Sequence, residues 1–434
     1  MANKKVKPKI QTLLGVSDIL PKDQLFFKRV YRVAQNLSCF YGFQEITPPI
    51  LEYSELFEKG TGSNTDIVEK EMYEIKTKSG DQIALRPEFT PSLVRAYIEH
   101  GMFSLPQPVK LFSFGPVFRH ERPQAGRSRQ FNQFNFEVFG SDKPIIDVEI
   151  IYLCFNILRN LGLKNLIVQI NSIGCKTCRS DFKKSLVSYL KKNKDNLCPD
   201  CQRRLTKNPL RVLDCKEKQC MEIVAGAPQI IDHLCKDCHN HFKKVLEFLD
   251  ELNIPYNLNP YLVRGLDYYT RTVFEIVSEE DVDKRQGSLI GGGRYDNLIK
   301  VFSNRDVPAC GAAGGVERII SAIQRQGIKN PSPAKVSIFL VQLGDKAKIK
   351  ALKLIEDFRK SNLRIFEALD KGSLSAQLKI ANKSKVEYSV IIGEKEANNG
   401  TVILRDMDSG RQSTIKDAEI IKQLKKKLAK KKNK

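Results

Sequence analysis

Two β-type runs, Val109-Lys110-Leu111-Phe112-Ser113-Phe114 and Phe134-Asn135-Phe136-Glu137-Val138-Phe139, enclose one short Arg-rich connection, and this arrangement restricts the fold more than any other feature. Both runs alternate or nearly alternate apolar and polar residues, which predicts two antiparallel strands joined by the loop. The segment Phe118 to Gln133 carries Arg119, Arg122, Arg127 and Arg129, one acid (Glu121) and a group of carboxamides. Guanidinium groups are permanently charged, planar and able to grip oxygen atoms in pairs, so such a loop suits phosphate. The bland alternative is a solvated charged hairpin.

The rest of the chain bounds the problem. With 434 residues and 41% hydrophobic content it has room for two or three domains and a substantial core. No segment approaches the roughly 18 uninterrupted apolar residues of a membrane span. The start, Met1-Ala2-Asn3-Lys4-Lys5-Val6-Lys7, lacks the apolar centre of a signal peptide, so a cytoplasmic location is expected by default. The formal charge is +22, and the eight lysines of Lys422 to Lys434 supply only part of it. The body is therefore basic, which favours a polyanionic partner. The tail by itself reads as a frayed, solvated helix end.

Eight of the eleven cysteines lie between Cys175 and Cys238, in close pairs: Cys175/Cys178, Cys198/Cys201, Cys215/Cys220 and Cys235/Cys238. That spacing suits tetrahedral thiolate sites, and in a reducing compartment it favours zinc over disulfides. Free thiols in a compact insertion are the alternative. Cys39, Cys154 and Cys310 read as small core residues, and His233, His239 and His241 as surface residues of a helix rather than ligands.

Helical periodicity over 22–41 (Leu25, Phe26, Val30, Val33, Leu37) precedes a proline-interrupted strand, Phe43 to Glu52. Lysine-rich helices bearing the cysteine pairs occupy 171–254 and read as an insertion inside one domain. A breaker-rich linker at 326–334 then leads to an alternation of strands (Val336 to Val341, Tyr388 to Ile392) and helices (Lys346 to Asn362, Ser373 to Ala381), with a Gly400-centred hairpin. The expected organisation is a domain over 1–325, interrupted at 171–254, a small α/β domain over 335–421, and a Lys-rich tail over 422–434. The fold class is α/β, with an α+β main domain.

Several segments share one further property. The loop from Phe118 to Gln133 resembles motif 2 of class II aminoacyl-tRNA synthetases, in the version found in the bacterial histidyl-tRNA synthetase family. Phe43 to Glu52 resembles motif 1, whose proline lies at a dimer interface. Gly311-Ala312-Ala313-Gly314-Gly315-Val316-Glu317-Arg318 looks like motif 3, and Leu262-Val263-Arg264-Gly265-Leu266-Asp267-Tyr268-Tyr269-Thr270 like the histidine-specific signature. Leu85 to Thr90, Ile290 to Asp296 and the final α/β unit are similar to further parts of the family, the last to its anticodon-binding domain.

The resemblance implies an antiparallel catalytic sheet flanked by helices, a homodimer, and a two-step reaction. L-histidine and ATP with Mg2+ give histidyl-adenylate and pyrophosphate, and the histidyl group then passes to the 3′ end of histidine tRNA. It implies that Arg119, Glu121, Arg127 and Arg318 bind ATP, and that Arg264, with Arg119, stabilises the transition state. Glu88, Thr90, Gln133, Glu137, Arg264, Tyr268, Tyr269 and Tyr295 would hold histidine, and Arg122 and Gln124 the tRNA acceptor end. The Ile290 to Asp296 stretch is expected to be a tight strand turn beside the pocket. Phe89, Asn132 and Asn135 depart from common family residues without removing a charged group. A non-catalytic regulatory paralogue is the main competing reading. Such a protein usually lacks the C-terminal domain and parts of the signatures, and this chain has both.

Overall fold

The computed structural model describes residues 10–62, 65–123, 127–215, 217–281, 287–329 and 336–432. The chain divides into two compact units, Met1–Asn330 and Pro331–Lys434.

The first unit is organised by an eight-stranded sheet in the order Gln44–Glu45, Val109–Phe118, Gln130–Phe139, Ala309–Gly315, Ser288–Arg294, Thr270–Ser278, Leu166–Ser172, Tyr256–Leu258. The two β-type runs pair antiparallel from Val109↔Phe139 to Phe118↔Gln130, so the Arg-rich connection does join neighbouring strands. Side chains alternate faces along a strand. Phe134, Phe136 and Val138 therefore enter a core shared with the helices Gln24–Phe40, Pro144–Asn160, Lys236–Glu251 and Val316–Arg325. Gln133, Asn135 and Glu137 fall on the opposite face. Phe134 and Phe136 are fully buried, and truncating either to alanine would cost about 3–5 kcal/mol.

The prolines at 48 and 49 divide the Phe43 to Glu52 segment. Gln44–Glu45 runs parallel to Val109–Phe118, whereas Leu51–Tyr53 pairs with Gln82–Leu85 in a separate three-stranded sheet. Arg86 fixes the corner by donating to Pro48 O at 2.6 Å and Pro116 O at 3.0 Å.

The cysteine-rich region connects the parallel neighbours Leu166–Ser172 and Tyr256–Leu258, paired from Val168↔Tyr256 to Ile170↔Leu258. Parallel strands require a long crossover, and four helices provide it: Lys176–Lys192, Pro199–Lys207, Lys218–Ala225 and Lys236–Glu251. Their apolar residues Phe182, Leu186 and Leu205, with Val212 of the connection between them, share one core with Phe89, Leu93 and Tyr268 of the rest of the first unit.

The second unit has a five-stranded sheet ordered Ile365–Glu367, Ile338–Gln342, Tyr388–Ile392, Thr401–Asp406, Gln412–Lys416. The first three strands are parallel and the last two antiparallel additions. The expected hairpin around Gly400 is displaced. Gly400, at φ 64°, ends the helix Glu394–Asn399, and the hairpin turns over 407–411. A left-handed residue closing a helix and one turning a hairpin both call for glycine, so local sequence does not separate them. The expected boundary at 421 falls inside the helix Ile420–Lys432, whose Ile420 and Leu424 are buried in the core of this unit. Among the described residues no helix is long and apolar enough to cross a membrane.

Candidate active site

The polar face of the large sheet floors a cleft of about 300 Å³, lined among others by Arg119, Arg127, Gln133, Arg264, Glu275 and Arg318. Arg119, Arg264 and Arg318 are each placed by a different part of the chain, and Arg127 by the same connection as Arg119. Arg119 leaves the end of the strand Val109–Phe118; its N–H donates to Arg129 O at 2.9 Å and its Nε to Pro87 O at 3.0 Å. The guanidinium stands 5.5 Å from the centre of the Phe131 ring, within cation–π range. Arg318 lies in the first turn of the helix Val316–Arg325. The preceding Glu317 accepts from Asn132 N at 2.9 Å and Asn132 Nδ2 at 3.0 Å, tying that helix to the Arg-rich loop. Burial pushes the Arg318 pKa down, and the charges of Arg127 and Arg119 push it further. Three cations crowded into one cleft repel one another, only partly offset by Glu121 and Glu275, so the cleft favours an anionic ligand.

Beside this region lies a smaller polar pocket. Its floor is set by strand register. Glu275 pairs with Gly291, Gly291 with Ala313, and Ala313 with Asn135; two residues along, Gly293 pairs with Gly311 and Gly311 with Glu137. Small residues in the middle strands leave a depression with polar groups on either side. The Arg264 guanidinium lies over Gly291 to donate from Nη1 to Glu275 Oε1, and a Cβ at Gly291 would collide with it. A Cβ at Gly311 would fall on Glu137 Oε2. Only glycine provides this close approach. Burial opposes the Arg264 charge, but Glu275 outweighs it, so the pKa stands above its ordinary value and the group remains cationic.

Hydrogen bonds organise the pocket wall. Glu88 accepts from Thr61 Oγ1 and from Tyr268 OH, both at 2.9 Å. Glu137 accepts from Thr90 Oγ1 at 2.7 Å, from Asn135 Nδ2 at 3.3 Å and from Tyr295 OH. Tyr268 touches both Tyr269 and Tyr295, with ring centres 4.7 and 5.5 Å away, and Arg264 lies 5.7 Å from the Tyr269 ring. Burial raises the Glu137 pKa to about 7 despite these donors, and raises that of Glu88 against the pull of Arg119. Gln133 Oε1 and Asn135 Oδ1 are buried acceptors without a protein partner among the described residues. Such oxygens carry a desolvation cost that a ligand donor would relieve.

The residues singled out in the sequence thus converge. Arg119, Glu121, Arg127, Gln133, Arg264 and Arg318 line one cleft. Glu88, Thr90, Glu137, Tyr268, Tyr269 and Tyr295 form the adjoining wall. Glu121 is paired with Arg127 at 2.9 Å. Arg122 is not among the residues lining the cleft, and Gln124 lies outside the described residues. Sequence reasoning missed Glu275, Thr61 and the roles of Asn132 and Asn135. Glu275 had a signal: it is a lone acid in the apolar run Thr270–Ser278. The departures at 132 and 135 are accommodated by bonds to Glu317 and Glu137, and Phe89 is buried beneath the Arg86 guanidinium at 4.1 Å.

Three expectations are corrected. Ile290 to Arg294 is a central strand rather than a tight turn; its glycines serve space across strands. His241 is buried, not on the surface: its Nε2 lies 3.2 Å from Asp147, which also binds the buried Arg294 at 2.6 Å. Its helix packs this side on Pro144–Asn160, where polarity is tolerated because the partners are present. Cys39 is exposed, whereas Cys154 and Cys310 are core residues as expected.

A family model described as histidyl-tRNA synthetase matches residues 15–178 and 202–319, and one described as an anticodon binding domain matches 335–427. The chain is 44% identical over 412 residues to the histidine--tRNA ligase of Halothermothrix orenii, covering 95% of this chain and 98% of that protein. It is 43% identical over 411 residues to the histidine--tRNA ligase of Acetivibrio thermocellus, covering 95% and 98%. Among solved structures, apo S. aureus histidyl-tRNA synthetase superposes with a TM-score of 0.78 at 32% identity, over 95% of this chain and 99% of that one. With a site of this geometry and likeness along nearly its whole length, the chain belongs to the histidyl-tRNA synthetase family.

Proposed function

We propose that this protein is a histidine--tRNA ligase, joining L-histidine to ATP as histidyl-adenylate with release of pyrophosphate and then moving the histidyl group to the 3′ end of histidine tRNA. The observation that carries the reading is the convergence of Arg119, Arg264 and Arg318 on one cleft beside a pocket ending in Glu137. Carboxylate attack on the α-phosphorus needs no protein nucleophile. It needs alignment and neutralisation of the charge that builds on phosphorus, and fixed guanidinium groups supply both. Arg264 stands between the two regions, held by Glu275, where it meets the histidine carboxylate and the α-phosphate together.

Glu88 and Gln133 hold the α-ammonium, with Thr90 between the two acids. Glu137 takes an imidazole N–H, and Tyr268, Tyr269 and Tyr295 enclose the ring. Arg119, Glu121, Arg127 and Arg318 hold ATP. Of the cleft carboxylates, Glu275 and Glu317 accept from protein donors, whereas Glu121 lies beside Arg127 with its Oε2 buried and without a hydrogen bond among the described residues. Mg2+ would enter with ATP as part of the substrate and neutralise phosphate charge there.

Arg122 and Gln124 meet the acceptor end of the tRNA, and the unit from Pro331 onward meets the anticodon. The protein works as a cytoplasmic homodimer: Ile50, Leu51, Tyr53 and Ile75, around the proline corner, expose apolar surface of the type that subunit interfaces bury. The test is pyrophosphate exchange with each of the twenty amino acids, followed by charging of total tRNA. Exchange confined to histidine, and one tRNA acceptor, are expected; exchange with another amino acid, or with none, would overturn the reading.

A further inference from the structure

The crossover between Leu166–Ser172 and Tyr256–Leu258 brings its eight cysteines into two sets of four: Cys175, Cys178, Cys235, Cys238, and Cys198, Cys201, Cys215, Cys220. Within each set all sulfur atoms lie within 4.8 Å of one another. Zinc held by four thiolates at about 2.3 Å requires a sulfur–sulfur edge of about 3.8 Å. The distance is 3.6 Å between Cys175 and Cys178 and 3.9 Å between Cys198 and Cys215. A disulfide would need about 2.05 Å.

Local structure favours thiolates at both places. Cys175, Cys198 and Cys235 each precede the first residue of a helix, and Cys178, Cys201 and Cys238 sit in the first turns of those helices. Cys220 occupies the first turn of Lys218–Ala225. A two-residue gap at a helix start turns both sulfurs toward the same point, next to free N–H groups and the positive end of the helix dipole. Cys235 N donates to Cys178 Sγ at 3.1 Å, and Cys198 N to Cys220 Sγ at 3.2 Å, so in each set the chain carrying one ligand binds another. Six of the eight cysteines are buried, including all four of the second set. Gly174, at φ 64°, is required by the first: a Cβ there would lie 2.5 Å from Cys178 Cβ.

We infer that this protein holds two structural zinc ions, each in a four-cysteine site, and that the two sites brace the loop carrying Arg264 and Tyr269. The bracing residues adjoin the ligands. Arg179, next to Cys178, donates to Tyr269 O at 2.9 Å. Between Cys201 and Cys215, Arg211 donates to Gly265 O at 2.8 Å, and Asn208 to Asp267 Oδ1 at 2.8 Å. Arg211 is itself fixed by Asp66 at 2.7 Å. The zinc sites rest on the cysteines alone; the bracing role rests on the proposed function.

Full-length protein, purified under reductant without added metal and passed into metal-free buffer, is expected to contain two zinc ions per chain. The double variants Cys175→Ser with Cys178→Ser, and Cys198→Ser with Cys201→Ser, are expected to retain one each. Should either fail to fold, titration of the wild-type protein with an organomercurial replaces it, and zinc release should track thiol modification. Zinc below one per chain, iron in its place, or disulfide-linked peptides from the reduced preparation would overturn the sites. Zinc release is expected to raise the KM for histidine roughly tenfold, the order of effect of losing a charge-assisted hydrogen bond, while the KM for ATP stays within about twofold. Equal changes in both, or none, would remove the bracing role and leave the metal count standing. If wild-type protein shows no histidine-dependent exchange, the proposed function fails while the zinc count is read as before.

Discussion

Arg264 and Glu275 meet across Gly291, the arginine arriving from the loop after Asn259 and the acid from the strand Thr270–Ser278. The pair fixes a guanidinium between the arginine-lined cleft and the pocket of Glu88 and Glu137, and its placement depends on the bare glycine beneath. Arg264→Ala should lower kcat/KM in histidine-dependent pyrophosphate exchange by roughly 10²–10³, the typical cost of one transition-state donor, with the thermal midpoint little changed. Gly291→Ala should lower kcat as well, since its methyl group displaces the same guanidinium. Undiminished exchange in Arg264→Ala would remove the assigned role.

Glu137 makes the pocket pH-sensitive. Burial lifts its folded pKa from 4.5 to about 7, so between these values the folded protein binds a proton that the unfolded chain releases. The stabilising contribution is complete below about pH 4.5 and is lost as pH rises through about 7. Thermal midpoints of ligand-free protein should therefore fall more steeply between these pH values in wild type than in Glu137→Gln. The same variant should raise the KM for histidine on the order of tenfold or more, because a carboxylate acceptor for the imidazole N–H is gone. A parallel pH profile in wild type and variant would exclude Glu137 as the titrating group.

Arg318 is depressed by burial and by its neighbours Arg127 and Arg119, a repulsion that a bound triphosphate relieves. ATP with magnesium at about 100 Kd should stabilise the wild-type fold by about 2.7 kcal/mol. Arg318→Ala should show a smaller thermal shift at the same concentration and a raised KM for ATP, with the KM for histidine nearly unchanged. An equal ATP shift in both proteins would count against phosphate binding by Arg318.

The Lys-rich end has two faces that one helix keeps apart. Leu424 is fully buried in the second unit, so Leu424→Ala should cost about 2–5 kcal/mol, and deletion from Lys422 onward should destabilise that unit. Lys425, Lys426 and Lys427 do not enter that core. Replacing them with glutamine should leave the melting temperature alone and reduce the slope of log K against log salt for tRNA by roughly 0.7–0.9 for each phosphate they neutralise in the wild-type complex. An unchanged slope would show that these lysines do not face nucleic acid.

The legible parts of the protein are those whose physics is local. Alternation along Phe134 to Phe139 assigns Phe134 and Phe136 to one face and Asn135 and Glu137 to the other, whatever the neighbouring strands are. Arg119, Arg264 and Arg318 are visible through the resemblance of their segments to the family's motifs, not through any local pattern of their own. Gly400 is open to two placements because a helix end and a hairpin ask the same of the backbone. His241 reads as a surface residue because its partner Asp147 is 94 residues away in the chain.

Residue type and short-range order, carried by the sequence itself, determined the sheet-forming runs, the Arg-rich loop, the thiol pairs and hence the class of chemistry. The folded chain alone decided which strands adjoin, and so placed Gly291 between Arg264 and Glu275, Gly311 beside Glu137, and Cys175 with Cys235 rather than with Cys198. The division has one physical cause. Dihedral preference and alternation act over a few residues, whereas register across strands and helices is set by burial of the whole core, which no short segment specifies.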